Sequence, residues 1–253
     1  AEDESTVRAN RERIGTPKSV HDHSKIRDHR AAEICVRRLV ELSERHDHPL
    51  HILHVSTANE VEILAETGPL VTAEACSHHL FLNIDDYDEL GTLAQMNPSL
   101  KTKEDNEALW QALRDGVIEV VATDHAPHLL EEKAKPYPES PSGMPGVQTL
   151  LPLMLDAAAN GRCTLEQLAD WMADAPARVW NMVNKGRIEE GYDADLVLVD
   201  LEKRKTVRNE EQLSKCGWSA FDGRELQGWP VRTFVMGQEV FGDDKVTTEP
   251  LGH

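Results

Sequence analysis

Small and apolar side chains recur at three- and four-residue intervals through 26–43, at Ala32, Cys35, Leu39 and Leu42. That is the period of one helix face, and it predicts an amphipathic helix. The next segment, 49–56, is short and aliphatic at Leu50, Ile52, Leu53 and Val55, bounded by Pro49 on one side and Ser56-Thr57-Ala58-Asn59 on the other. It reads as a buried strand ending in a turn. Thr57 or Asn59 can cap a helix through Glu66, Gly68 stops it, and 69–75 is again an apolar run, so the unit is strand, helix, strand. The unit repeats. Leu109, Ala112 and Leu113 share one face of a helix over 102–113, Gly116 lies just beyond, and 117–123 (VIEVVAT) is rich in β-branched residues. Alternation of this kind favours a parallel α/β sheet or barrel.

After Asp124 the Pro-rich stretch 126–146 is too long for a simple connector and is a candidate active-site loop. Helices are expected over 147–159, closed by Gly161, and over 165–173, opened by the capping box Thr164-x-x-Gln167. From Gly186 the pattern changes: 194–200 (ADLVLVD) and 231–241 (VRTFVMGQEVF) are β segments with no helix between strands. A domain boundary is therefore expected near 186, with 1–185 forming one part and 186–253 a small β-rich module. The first two dozen residues are charged with little periodicity, and the chain opens on Ala1 rather than Met, so a processed or truncated chain is expected.

Composition narrows the function. The 253 residues carry 45 Asp+Glu against 27 Lys+Arg, a formal charge of −18. That balance argues against non-specific nucleic-acid binding, which needs a basic face, and against docking on anionic lipid. No run of about 18 apolar residues is present and the N-terminus is acidic rather than basic and apolar, so a soluble, cytoplasmic protein is expected. Cys35, Cys76, Cys163 and Cys216 stand singly with no C-x-x-C pair. They are expected to be reduced core residues rather than disulfides or a thiolate zinc site.

Ligands of parallel α/β folds sit at the carboxyl ends of the strands. One expected strand end carries His54-Val55-Ser56-Thr57, another Thr123-Asp124-His125-Ala126-Pro127-His128, and between them lie Ser77-His78-His79 and Gln95-Met96-Asn97-Pro98. Imidazole and carboxylate delivered to one rim suit a divalent metal such as Zn²⁺ with a carboxylate positioned to shuttle a proton. Simpler readings compete: His54 as a hydrogen-bonded structural residue, Asp124 as a turn cap. His78 and His79 read as structural, because adjacent side chains on a strand face opposite ways. His21, His23, His29, His46, His48 and His51 are numerous, but they fall among residues expected to be solvated helix and loop.

Taken in order, HVST (54–57), VTAEACSHHLFL (71–82), MNPSL (96–100), DGVIEVVATDHAPH (115–128), SGMPG (142–146) and GRIEEGYDADLVLVD (186–200) make a chain that resembles the dihydroorotases of the amidohydrolase superfamily over almost its whole length. The Asn of MNPSL and the full DHAPH favour dihydroorotases over the related allantoinases and hydantoinases. The resemblance implies an α/β fold, here the C-terminal part of a (β/α)₈ TIM barrel, about strands 6 to 8, with a small appended β module and one or two zinc ions in the full-length site. It makes His54 a metal ligand at the end of the sixth strand. It makes Asp124, at the end of the eighth, both metal ligand and catalytic proton shuttle. Asn97 and His128 match residues that hold the pyrimidine ring and its carboxylate, and Ser142-Gly143 a backbone contact over the substrate. Two departures are local: Ser77 stands where relatives often have Pro, and the chain is about three residues short between Thr57 and Thr72.

A larger departure is that no H-x-H leads into an Arg on an apolar strand near the start. The chain therefore resembles a C-terminal portion, with an open barrel edge and no activity by itself. The implied reaction is reversible, zinc-dependent hydrolysis of dihydroorotate to N-carbamoyl-aspartate. The implied partners are that small-molecule substrate and, as associations, a homo-oligomer or aspartate carbamoyltransferase. The alternatives are a non-catalytic dihydroorotase-like scaffold for aspartate carbamoyltransferase, or an allantoinase- or hydantoinase-type cyclic amidohydrolase.

Overall fold

The computed structural model describes residues 1–247. The chain folds as two compact units, one of 1–148 with 208–222, the other of 149–207 with the residues from Gly223 onward.

The first unit opens with α1 (Glu4–Ile14), α2 (His21–Ile26) and α3 (His29–His46). The lack of apolar periodicity hid α1. Asp3 caps it by accepting from the Thr6 amide at 3.0 Å, and Val7 is its one buried apolar residue, packed with Ile26 and Ala31. Asp28 caps α3 through the Ala31 amide. The buried face of α3 is Ala31, Ala32, Val36, Val40 and Ser43, rotated from the expected stripe: Leu42 is 41% exposed. Both stripes have helical spacing, so periodicity alone could not choose between them.

The mixed α/β core is a three-stranded parallel sheet in the order β1 (Leu50–Ile52), β2 (Val71–Cys76), β3 (Val120–Ala122). Leu50 pairs with Val71 and Ile52 with Ala73; Glu74 pairs with Val120 and Cys76 with Ala122. Parallel pairs require crossovers, here through α4 (Ala58–Leu64) and, after β2, through α5 (Ser77–Phe81) and the helix Lys103–Asp115. That last helix packs on α4 and α5, burying Leu109, Trp110, Ala112 and Leu113. The expected strand 49–56 is paired only over 50–52, and Leu53 is 47% exposed.

Asp105 ties this layer together. Its carboxylate accepts from the Ala58 amide at 2.9 Å, the first residue of α4, from the Thr102 amide and hydroxyl at 3.0 and 2.9 Å, and from His29 Nε2 at 2.8 Å. One carboxylate thus satisfies orphan donors at two helix starts.

In the second unit the helix Leu150–Ala159 packs on β5 (Glu225–Val235). Gly228, at φ 91°, makes this approach possible, since a Cβ there would lie 2.7 Å from Leu155 Cβ. The expected helix over 165–173 is instead Leu165–Ala169, a π turn at Asp170–Asp174 and Ala175–Val179. The β segments form an antiparallel sheet in the order β4 (Leu196–Thr206), β5, β6 (Gln238–Gly242), β7 (Lys245–Val246), longer than the pattern indicated. All four cysteines are free; Cys76 and Cys163 are buried, whereas Cys35 and Cys216 are half-buried rather than core. No helix among the described residues is long and apolar enough to cross a membrane.

Candidate active site

Because β1, β2 and β3 are parallel, their carboxyl ends share one rim. His54, His78 and Asp124 each lie two residues beyond the last residue of their strand. His54 and Asp124 both turn out of the strand at positive φ, 39° and 44°. Such a conformation is uncommon for a residue with a Cβ and clusters at functional sites.

The local sequence explains how His54 is presented. One carboxylate oxygen of the fully buried Glu60 accepts from the amides of Ser56 and Thr57, both at 2.9 Å, and from both hydroxyls. Thr57 Oγ1 accepts in return from the Glu60 amide, completing a capping box. Ser56 and Thr57 thus anchor the start of α4, and His54 is left free of the cap. Its Nδ1 is buried with no hydrogen-bond partner. Burial lowers the His54 pKa, and the Asp124 carboxylate pulls it back. The imidazole is therefore held neutral, the form that ligates metal, and it senses the Asp124 charge.

His78 and His79 correct the sequence expectation. They lie on α5 rather than a strand, both are buried, and their rings meet edge to face with centroids 4.2 Å apart. His79 Nε2 donates to the Pro98 carbonyl at 3.1 Å. The His78 pKa falls to about 3, through burial and the nearby His54, and its Nε2 has no partner.

Asn97, His128, Ser142 and Gly143, the residues expected to bind substrate, lie in segments joined by hydrogen bonds. His128 Nε2 donates to the Ser142 carbonyl at 3.2 Å, and the Gly143 amide donates to the Gln95 carbonyl at 2.9 Å. Gln95 Nε2 donates to the Ser142 hydroxyl at 3.2 Å. The Asn97 and Ser142-Gly143 segments are thereby joined. Among the described residues no hydrogen bond links this group to His54 or Asp124.

His23 also corrects the sequence reading, which placed it among solvated residues. It is 4% exposed; its Nε2 lies 2.8 Å from the Met96 carbonyl and 3.1 Å from Asn97 Oδ1, and the Tyr137 hydroxyl lies 3.2 Å from its Nδ1. Burial first of all pushes its pKa to about 4. A neutral His23 thus orients Asn97 from 74 residues away; no local pattern signals that contact. His46 and His48 are exposed as expected.

A buried, unpartnered ring nitrogen on His54 that feels the Asp124 charge fits a metal donor. The described residues contain no group of three or more His, Cys, Asp or Glu side chains able to hold a metal, and three protein ligands are usual in a catalytic zinc site.

A family model described as the amidohydrolase family matches residues 6–240. The chain is 43% identical over 217 residues to the dihydroorotase of Halobacterium salinarum, covering 86% of this chain and 51% of that protein. It is 35% identical over 223 residues to the dihydroorotase of Pyrococcus furiosus, covering 87% and 52%. The chain spans about half the length of these curated relatives. Among solved structures, the L-hydantoinase (dihydropyrimidinase) from Arthrobacter aurescens superposes with a TM-score of 0.95 at 29% identity, over 98% of this chain and 57% of that one. A D-hydantoinase gives 0.92 at 26% identity, over 97% and 57%. With a family match running through both units, the chain belongs to the amidohydrolase family.

Proposed function

We propose that this chain forms part of a dihydroorotase that reversibly hydrolyses the ring amide of dihydroorotate to N-carbamoyl-aspartate. The observation that carries the proposal is the arrangement of His54 and Asp124: equivalent places after parallel strands, both at positive φ, with a buried free nitrogen on His54 that feels the Asp124 charge. The dihydroorotase relatives support the choice of substrate. In the same reading β1, β2 and β3 are strands six to eight of a (β/α)₈ barrel, 1–185 is the barrel portion and 186–253 the appended module. A cytoplasmic location and association with a second copy or with aspartate carbamoyltransferase also belong to this reading.

His54 and Asp124 would hold zinc together with further donors. The chemistry such an ion supplies when bound is polarisation of the ring carbonyl and activation of water. Asp124 accepts the proton of the attacking water and delivers it to the leaving ring nitrogen. Asn97, oriented by His23, and His128 hold the ring and its carboxylate, while the Ser142-Gly143 backbone fixes the ring from the loop side. A hydantoinase-type activity is the second reading, favoured by the superpositions on hydantoinases.

The test uses the protein as its gene encodes it, assayed with dihydroorotate, hydantoin and dihydrouracil. Dihydroorotate should be the preferred substrate, and His128→Ala should impair its turnover while zinc content stays constant. Preference for hydantoin would favour the second reading, and zinc loss in His128→Ala would make His128 a metal ligand.

A further inference from the structure

We propose that Lys133 is a positioning residue for the substrate pocket, its ammonium clamping the Asn97 segment to the Ser142-Gly143 loop; this deepens the dihydroorotase reading and rests on it. Lys133 ends the short helix Leu130–Lys133 and is fully buried. Its Nζ donates to the Gln95 carbonyl at 2.9 Å and to the Pro141 carbonyl at 2.8 Å. Gln95 is two residues before Asn97, and Pro141 directly precedes Ser142.

The contacts around the clamp all join the same segments. The Gln95 carbonyl also receives the Gly143 amide at 2.9 Å, and Gln95 Nε2 donates to the Ser140 carbonyl at 2.8 Å and to the Ser142 hydroxyl. The carbonyl of Lys133 itself accepts from the Thr92 hydroxyl at 2.6 Å and the Ser140 hydroxyl at 3.2 Å. One cation therefore sets the spacing of two backbones that come from loops after different strands.

No carboxylate of the described residues lies within ion-pair distance of Lys133. A buried charge without a counter-ion is a poor stabilising device, since an apolar chain of similar length would fill the same space without the desolvation cost. Burial pushes its pKa down to about 8, the measure of that cost. Two carbonyls held in fixed relation are what the charge gives in return. Lys133 is placed to act through Gln95 and Pro141 on the residues that would hold the substrate.

The experiment uses the protein as its gene encodes it, with dihydroorotate as substrate. Lys133→Met keeps the bulk of the stem and removes the donors. It is expected to raise KM roughly tenfold while kcat changes less than about threefold. Amide exchange should quicken in 91–97 and 138–146 and stay at the parent level in Leu50–Ile52 and Val71–Cys76. Lys133→Gln shortens the chain and removes the charge while keeping a polar donor. It should move both readouts the same way by a smaller amount, and it carries the test if Lys133→Met does not fold. An unchanged KM, a fall in kcat alone that tracks the folded fraction, or unchanged exchange in the two segments overturns the proposal. If the parent protein does not turn over dihydroorotate, the functional reading fails separately, and exchange alone decides the clamp: faster in both segments supports it, unchanged overturns it.

Discussion

Trp218 Nε1 donates a hydrogen bond to the His128 carbonyl at 2.7 Å, across 90 positions of sequence. Trp218 is 1% exposed and sits in 208–222, the stretch between β4 and β5 that belongs to the first unit. Gln148 holds the same stretch, donating to the Glu211 carbonyl and accepting from the Leu213 amide. The backbone at His128 is thus fixed by a residue far along the chain. Trp218→Phe removes the donor and leaves the carbonyl without it, at a cost of about 1–3 kcal/mol. Urea unfolding checks the stability, and amide exchange at 126–130 should quicken.

Asp105 gives a pH dependence. Burial alone would raise its pKa, but hydrogen bonds from His29, the Ala58 amide and the Thr102 amide outweigh burial and hold it at about 2. An unfolded Asp titrates near 4, at about 3.9, so the folded state favours the charged form. Its stabilisation is complete above about pH 4 and is lost as pH falls through that value toward 2. Asp105→Ala should cost about 2 kcal/mol at pH 7, since it uncaps two helices. It should also flatten the decline of stability between pH 4 and 2, as read by thermal melts across that range.

Gly143 adopts φ 132°, and a Cβ there would lie 2.6 Å from the Ala126 carbonyl oxygen and 2.9 Å from Ala126 Cβ. Gly143→Ala must therefore move the backbone that carries the Gln95 contact. A loss of about 1–3 kcal/mol is expected, together with weaker dihydroorotate binding by calorimetry. A variant matching the parent in both would show that the loop yields without consequence.

Zinc is expected to bind the 253 residues weakly, because His54 and Asp124 supply two donors where catalytic sites use three. Metal content after dialysis should be well below one ion per chain, and His54→Ala should abolish what remains. Stoichiometric zinc would return attention to His78, whose Nε2 is buried and unpartnered.

β1 and β3 are the edges of the three-stranded sheet. Unpaired edge strands invite pairing between chains, so the 253 residues should elute from size-exclusion chromatography as a concentration-dependent distribution. A sharp monomer peak at all concentrations would count against an open edge.

The sequence alone determined the alternation of strand and helix, the Thr164 capping box, and the strand ends that carry His54 and Asp124. Each follows from residues within about ten positions of one another, where hydrophobic period and capping chemistry operate. Tertiary structure decided the rest. Two stripes of α3 have the same helical spacing, and only packing selected Val36 and Val40 over Leu39 and Leu42. His23 could not be told from an exposed histidine until Met96, Asn97 and Tyr137 surrounded it. Lys133 reads in sequence as one more surface charge after Glu131 and Glu132, and its burial depends on Gln95 and Pro141 closing over it. A local pattern reports which way a side chain can point; what it meets is set by segments tens of residues away, and burial and hydrogen bonding are properties of that meeting.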